Sequence, residues 1–165
     1  MTRSYFALGV AALAAFTVGC TRPRGVDSPR TDGPVELRPL AAELYSGIPD
    51  SGRVVIRDAT AWSSMWQRAY AHRGSVPPTP AVDFQREVVI FAALGERGTG
   101  GYTIQIDSAR AAGDAVDVFV SRTSPGPKCG ATMAVTAPFA AAAMTATRKT
   151  IRFVERAVVT ACGGP

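Results

Sequence analysis

Gly95-Glu96-Arg97-Gly98-Thr99-Gly100-Gly101-Tyr102 is the stretch of this chain whose residue types best suit chemistry. Glycine at four of eight positions exposes backbone N–H groups and admits positive φ, so the loop can approach a partner closely, while Glu96, Arg97, Thr99 and Tyr102 add directional side chains. That is the chemistry of recognition rather than of bond breaking. Residues that could break bonds are dispersed. A hydrolytic triad needs a base that titrates near neutrality, and the one histidine, His72, falls at the end of a predicted helix, where it meets solvent or the last carbonyls. No GxSxG nucleophile elbow occurs. Asp58, Asp83 and Asp107 could pair for acid or base work, yet each reads as a cap, a turn former or an exposed strand residue. Zinc requires clustered His, Cys and carboxylate ligands, and no such spacing is present. The sequence therefore assigns no catalytic residue, no metal and no cofactor, and the chain is read as a non-enzyme.

The elements that must position this loop are β-strands. Val88 to Leu94 is a continuous apolar run, which reads as a strand buried on both faces, and Tyr102, Ile104 and Ile106 alternate with Thr103, Gln105 and Asp107, which reads as a strand with one face in the core. The two together look like the central ribbon of a β-rich domain, with the glycines either a binding loop or the device of a tight hairpin. Upstream, Leu44 to Ile48 reads as a short edge strand and Arg53 to Arg57 as another strand. One helix is expected over about Thr60 to His72, with Asp58 or Thr60 as N-cap, Trp62, Met65, Trp66, Ala69 and Tyr70 on one face, and Gly74 to end it. That aromatic stripe is assigned to core packing. Downstream, Ala111 to Asp114 supply a turn, Val116, Val118 and Val120 alternate, Thr123 to Gly130 form a second loop, and strands follow near Ala140 to Thr147 and Thr150 to Val159, with Ile151 and Phe153 inward. The fold expected is mainly β with one helix (α+β): an antiparallel β-sandwich or curved sheet with a single amphipathic helix packed on it.

The 165 residues, 47% of them hydrophobic, suit one domain with one core. Residues 1–19 are different material: Arg3 supplies a positive start, Tyr5 to Val18 an apolar stretch, and Gly19-Cys20 closes it, the layout of a signal peptide. Thr17-Val18-Gly19-Cys20 resembles a bacterial lipobox, with threonine where leucine is usual. Cys20 is then lipidated and the protein is extracytoplasmic, anchored to the membrane through its N-terminal lipid; without lipidation it is secreted. Residues 20–42, rich in proline, glycine and alternating charge, are expected to form a flexible tether, leaving 43–165 as the folded domain. Cys129 and Cys162 remain as an even pair in an oxidising compartment and read as a disulfide, free thiols being the alternative. Such a bridge would constrain the unfolded chain by roughly 3 to 4 kcal/mol. Eighteen basic and thirteen acidic residues are scattered without a stripe or aromatic platform, so nucleic acid is not an expected partner.

Tyr45-Ser46-Gly47, a helix with Trp62 and Trp66, Asp83-Phe84 before an apolar strand, Gly95, Thr99-Gly100-Gly101-Tyr102, Pro125-Gly126-Pro127 and Ala137-Pro138-Phe139 occur in an order that resembles the protease complex subunit PrcB family, in its C-terminal-type domain. The resemblance spans about Leu44 to Phe153. It implies a small non-enzymatic domain, often on bacterial lipoproteins, that associates with and stabilises a surface protease. Thr99-Gly100-Gly101-Tyr102 is also similar, more distantly, to a binding loop of the chagasin-type cysteine-protease inhibitors, whose loops cluster at one end of an immunoglobulin-like sandwich.

Three function classes follow from these residues. In the first, the loop from Gly95 to Tyr102, with Ser124 to Lys128 beside it, contacts an extracytoplasmic protease or another envelope protein, as accessory subunit or as inhibitor, and Gly100→Val is the substitution that tests it. The second is a structural or small-ligand-binding envelope lipoprotein. The third, an enzyme, is disfavoured by the inventory above.

Overall fold

In a computed structural model that describes residues 32–161, the chain forms eight strands and one helix. They are β1 (Gly33–Val35), β2 (Leu37–Glu43), β3 (Gly52–Ile56), α1 (Ala59–Ala69), β4 (Glu87–Ala93), β5 (Thr103–Ala112), β6 (Ala115–Pro125), β7 (Phe139–Thr145) and β8 (Thr150–Thr160). Two four-stranded sheets face each other, the first in the order β1-β5-β6-β8 and the second in the order β2-β7-β4-β3. The expected mainly β architecture with one helix is what forms.

Strand β4 is apolar along its length because it is covered twice. Val88, Ile90, Ala92 and Leu94 point between the sheets, toward Ile104, Val116, Val118 and Val120. Val89, Phe91 and Ala93 point the other way, into a second cluster with Trp62, Trp66, Tyr70 and Phe139. The helix supplies that second cover. Asp58 caps its start, its carboxylate accepting from Ala61 N–H at 2.8 Å, and Tyr70 ends it, four residues before the glycine expected to do so. The indoles are not a ligand site: Trp62 Nε1 donates to Pro80 O at 3.0 Å and Trp66 Nε1 to Pro77 O at 2.8 Å. The proline-rich connection thus lays its carbonyls over the helix as acceptors for two buried N–H groups.

Several expectations are corrected. Residues 33–42, read as tether, lie in β1 and β2; their prolines mark edge strands rather than disorder, since Pro34 and Pro39 sit on the outermost strands and Pro39 adjoins a bulge. The segment 1–31, including the expected signal peptide, Cys20 and the rest of the tether, lies outside the described residues. Leu44 to Ile48 is not a strand: β2 ends at Glu43, and Ser46 Oγ closes the turn by accepting from Ile48 N–H and donating to Ala137 O at 2.8 Å. β4 and β5 do not form a ribbon, because they belong to opposite sheets. The pairing is antiparallel except between β6 and β8, which run parallel from Ala115↔Thr150 to Pro125↔Thr160. Parallel neighbours need a crossover, and here β7 in the facing sheet provides it.

Tyr70 links the helix end to the rim of the second sheet, its hydroxyl donating to Glu43 Oε1 at 3.2 Å while Arg73 lies over its ring. Burial, and then the Glu43 carboxylate, push the phenol up from its ordinary 10.0 to about 12. Folding thus favours the protonated phenol, so its stabilising contribution is complete below the unfolded value and is lost as pH rises from about 10 through about 12. Thermal melts across that window should show a loss of stability that is absent in Tyr70→Phe. In the core, Phe139 stacks on Phe91 with ring centroids 5.2 Å apart and meets Tyr70 edge-on at 5.8 Å. Phe139→Ala should cost about 3–5 kcal/mol in chemical denaturation, the usual range for a fully buried phenylalanine.

Candidate functional site

Where β4 ends, the chain crosses from the second sheet to the first, and the glycine-rich stretch is that crossing. It is held on three sides. Glu96 N–H donates to Pro49 O at 2.9 Å, Arg97 and Thr136 exchange both main-chain hydrogen bonds at 2.7 and 2.9 Å, and Gly100 N–H donates to Thr132 O at 3.0 Å. Thr136 Oγ1, buried, adds a bond to Thr99 O at 3.0 Å. Two glycines are there for close contact, and Gly95 for a left-handed backbone as well. Gly95, at φ +77°, packs so closely that a Cβ would lie 2.7 Å from Ser51 N and 2.8 Å from Pro49 O. At Gly100 a Cβ would strike Thr132 Oγ1.

The loop's polar side chains are equally committed. Arg97 folds back, donating from Nη2 to Leu94 O at 2.8 Å and from Nη1 to Glu96 O at 2.9 Å, and its guanidinium stands 5.9 Å from the centre of the Tyr102 ring. Tyr102 itself is half-buried against the inter-sheet core. Glu96, Gly98 and Gly101 are the members that remain exposed. Thus the predicted binding loop exists at one end of the sandwich, but Gly95, Arg97, Thr99, Gly100 and Tyr102 mostly hold it together.

The end that this loop shares with its neighbours is broader than the sequence reading. The Pro125 ring lies against Gly101, so the Ser124 to Lys128 segment is adjacent, as expected. The segment between Thr132 and Ala137 lies alongside the loop, and it presents Met133, 94% exposed, and Val135, 62% exposed. Leu44 and Tyr45, each nearly half-exposed, adjoin it through the Ala137 N–H to Leu44 O bond at 3.0 Å. Sequence reasoning gave none of these four residues a binding role. The place of Met133 and Val135 among Ala131, Thr132, Ala134, Thr136 and Ala137 carries no local signal, so only their exposure in the structure singles them out.

Behind this end an ion-paired group braces the open edge between the sheets. Glu155 on β8 receives Arg53 Nη2 at 2.8 Å and Arg122 Nε at 2.7 Å, while Arg53 Nη1 also donates to Ala93 O at 2.6 Å and Gly52 O at 2.7 Å. Burial lowers the Arg53 guanidinium from its ordinary value, and Glu155 opposes that shift. Such a brace rigidifies the scaffold on which the loops sit. Among the described residues no three His, Cys, Asp or Glu side chains converge as a metal ion would require, and His72 is exposed on the helix side. Asp58 and Asp83 are engaged as N-cap and turn acceptors, and Asp107 accepts from Ser121 Oγ at 2.5 Å. Cys129 follows β6, its Sγ 3.3 Å from Thr160 O, two residues before Cys162, which lies outside the described residues.

Residues 88–145, from β4 through β7, match the family model described as PrcB C-terminal. The match contains the crossing loop and Met133 and Val135. No curated protein and no solved structure matches the chain.

The packing makes two glycines diverge on substitution. Gly100→Val should lower stability by about 1–3 kcal/mol through overpacking against Thr132, with partial recovery in combination with Thr132→Ala. Gly98→Ala, with no atom within 4 Å of its Cβ and no positive φ, should change the melting midpoint hardly at all. Denaturation of the three variants and the double mutant checks both.

Proposed function

We propose that this PrcB C-terminal-type domain is a non-enzymatic, extracytoplasmic accessory subunit that binds a protease with the end of the sandwich carrying the Gly95 to Tyr102 crossing. The observation that carries the reading is the apolar exposure there: Met133 and Val135, with Leu44 and Tyr45 beside them, stand on a segment clamped to the crossing loop inside the family match. Methionine and tyrosine are side chains that interfaces favour, and a rigid platform lets them bind at low entropic cost. Glu96 and Lys128, both exposed, give the patch a polar rim of both signs. By linkage, a subunit that binds only the folded protease stabilises it, without contributing a reacting group.

Anchorage through a lipidated Cys20 and a disulfide between Cys129 and Cys162 belong to the same proposal. The bridge would tie the loop after β6 to the end of β8 and so hold Ser124 to Lys128 beside Gly101. Intact-mass analysis before and after reduction and alkylation checks the bridge; two alkylated thiols without reduction would disprove it.

The test of the whole reading is capture from an envelope extract by the immobilised full chain. The retained protein should be identified by mass spectrometry as a protease, and its peptide hydrolysis should survive heating longer with the chain than without it. Met133→Asp combined with Val135→Asp should weaken capture about tenfold or more, as expected when central apolar contacts are lost, whereas Arg68→Asp on the helix face should not. Equal retention by the double variant would sink the loop-end assignment, and a retained partner without protease activity would sink the accessory role. Suppressed rather than prolonged hydrolysis would assign the inhibitor alternative.

A further inference from the structure

The first sheet is one strand short along half of β5. β1 pairs with β5 at Gly33↔Ala111, Pro34↔Arg110 and Val35↔Ala109, and the chain then leaves that sheet at Glu36 to become β2 of the other. From Thr103 to Ile106, β5 has β6 on one side and, among the described residues, no strand on the other. The free edge continues past a bulge between Ile106 and Ser108 to Ala109, where pairing with β1 begins, so that Asp107 stands in its far part. Unpaired N–H and C=O groups in a row are a template for another strand, and no proline or basic side chain interrupts Thr103 to Ile106 to blunt it.

Beside the edge lies an open cleft of about 310 Å³, whose lining includes Leu37, Pro39, Ala42, Ile106, Ala140 and Ala142. Elsewhere between the sheets Ile90, Val116, Val118 and Val120 fill the space, whereas here Pro39 and the small Ala42, Ala140 and Ala142 leave a cleft whose floor is mostly apolar, with Gln105 and Asp107 as its polar members. β2, itself bulged between Pro39 and Ala41, stands as the second wall. The notch therefore offers backbone partners on one wall and apolar room below.

The geometry points to an extended segment of a partner polypeptide as the occupant, added to β5 in line with β1 and setting alternate aliphatic side chains over Ala140 and Ala142. This is recognition by strand addition, with main-chain bonds giving affinity and the pleat giving the two-residue periodicity of preference. The notch adjoins the loop end, since Ala42 leads through Glu43 into Leu44 and Tyr45, so one partner can engage both. It does not require that the partner be a protease.

The test is selection of a displayed random-peptide library on the full chain, followed by affinity measurements on the recovered peptides. They should carry aliphatic residues at alternate positions and should slow amide exchange at the alternate residues between Thr103 and Ile106 whose N–H groups face away from β6. Binding should fall at least about tenfold in Ala142→Phe, which fills the notch, and in Ile106→Lys, which puts a charge at its mouth, that factor being the loss of one good contact. Met133→Asp should leave these peptides bound, which separates the notch from the loop-end patch. Should Ala142→Phe fail to fold, Ile106→Lys, at a half-buried position, carries the comparison. Recovery of no peptide, or of peptides that bind both variants as tightly as the parent, overturns the inference.

Discussion

A strand that is apolar on both faces can exist in water only if something covers each face, and β4 imposes that demand on everything around it. The first sheet answers on the side of Val88, Ile90, Ala92 and Leu94, and the helix answers on the side of Val89, Phe91 and Ala93. Polarity cannot fix the register of such a strand, because a shift of one residue would still bury apolar groups on both sides. Size must fix it instead. Phe91 finds Phe139 across β7 on the helix side, while the small Ala92 and Ala140 face the other sheet. The helix is thus part of the sandwich's core rather than an appendage.

Rigid covering of β4 determines what its C-terminal end can do. The chain emerging after Ala93 has to cross between sheets, and the crossing is pinned by Pro49, Thr132 and Thr136 through main-chain bonds. Glycine is needed at Gly95, pressed by the Pro49–Ser51 backbone, at Gly100, pressed by the Thr132 side chain, and at Gly95 and Gly101 for their positive φ, so the glycine density reflects crowding and left-handed backbone together. Pinning shifts recognition from the crossing itself to the residues that the pinned segments present outward, above all Met133 and Val135. A loop held this firmly is a support, and its neighbour is the contact.

How far this was legible from residues depended on whether the signal was local. The Trp62 to Tyr70 stripe, the full apolar run of β4 and the alternation in β6 each declare which faces they bury, so element type and core were readable. Pairing was not: whether the chain turns back after Gly95 or crosses to a second sheet depends on contacts with Pro49 and Thr136, which are far away in sequence. Pro34 and Pro39 misled for a related reason, since a proline forbidden in a central strand is acceptable on an edge, and edges are defined by topology alone. The crossing loop was recognisable as special from composition, but its partner segment was not, because Met133 and Val135 gain meaning only from their exposure.

The position of the chain's entry into the domain bears on how a partner would meet it. Asp32 lies by the β5–β6 turn, its Oδ1 accepting from Gly113 N–H at 3.0 Å and standing 3.7 Å from Lys149 Nζ. Thr103, just past the crossing loop, begins the same strand that ends at Ala112, before that turn. Ten extended residues separate the two ends by about 30 Å, at some 3.3 Å per residue. Whatever precedes Asp32 therefore joins the domain at the end of β5 remote from Met133 and Val135, while Ile106 in the notch lies about midway along that strand.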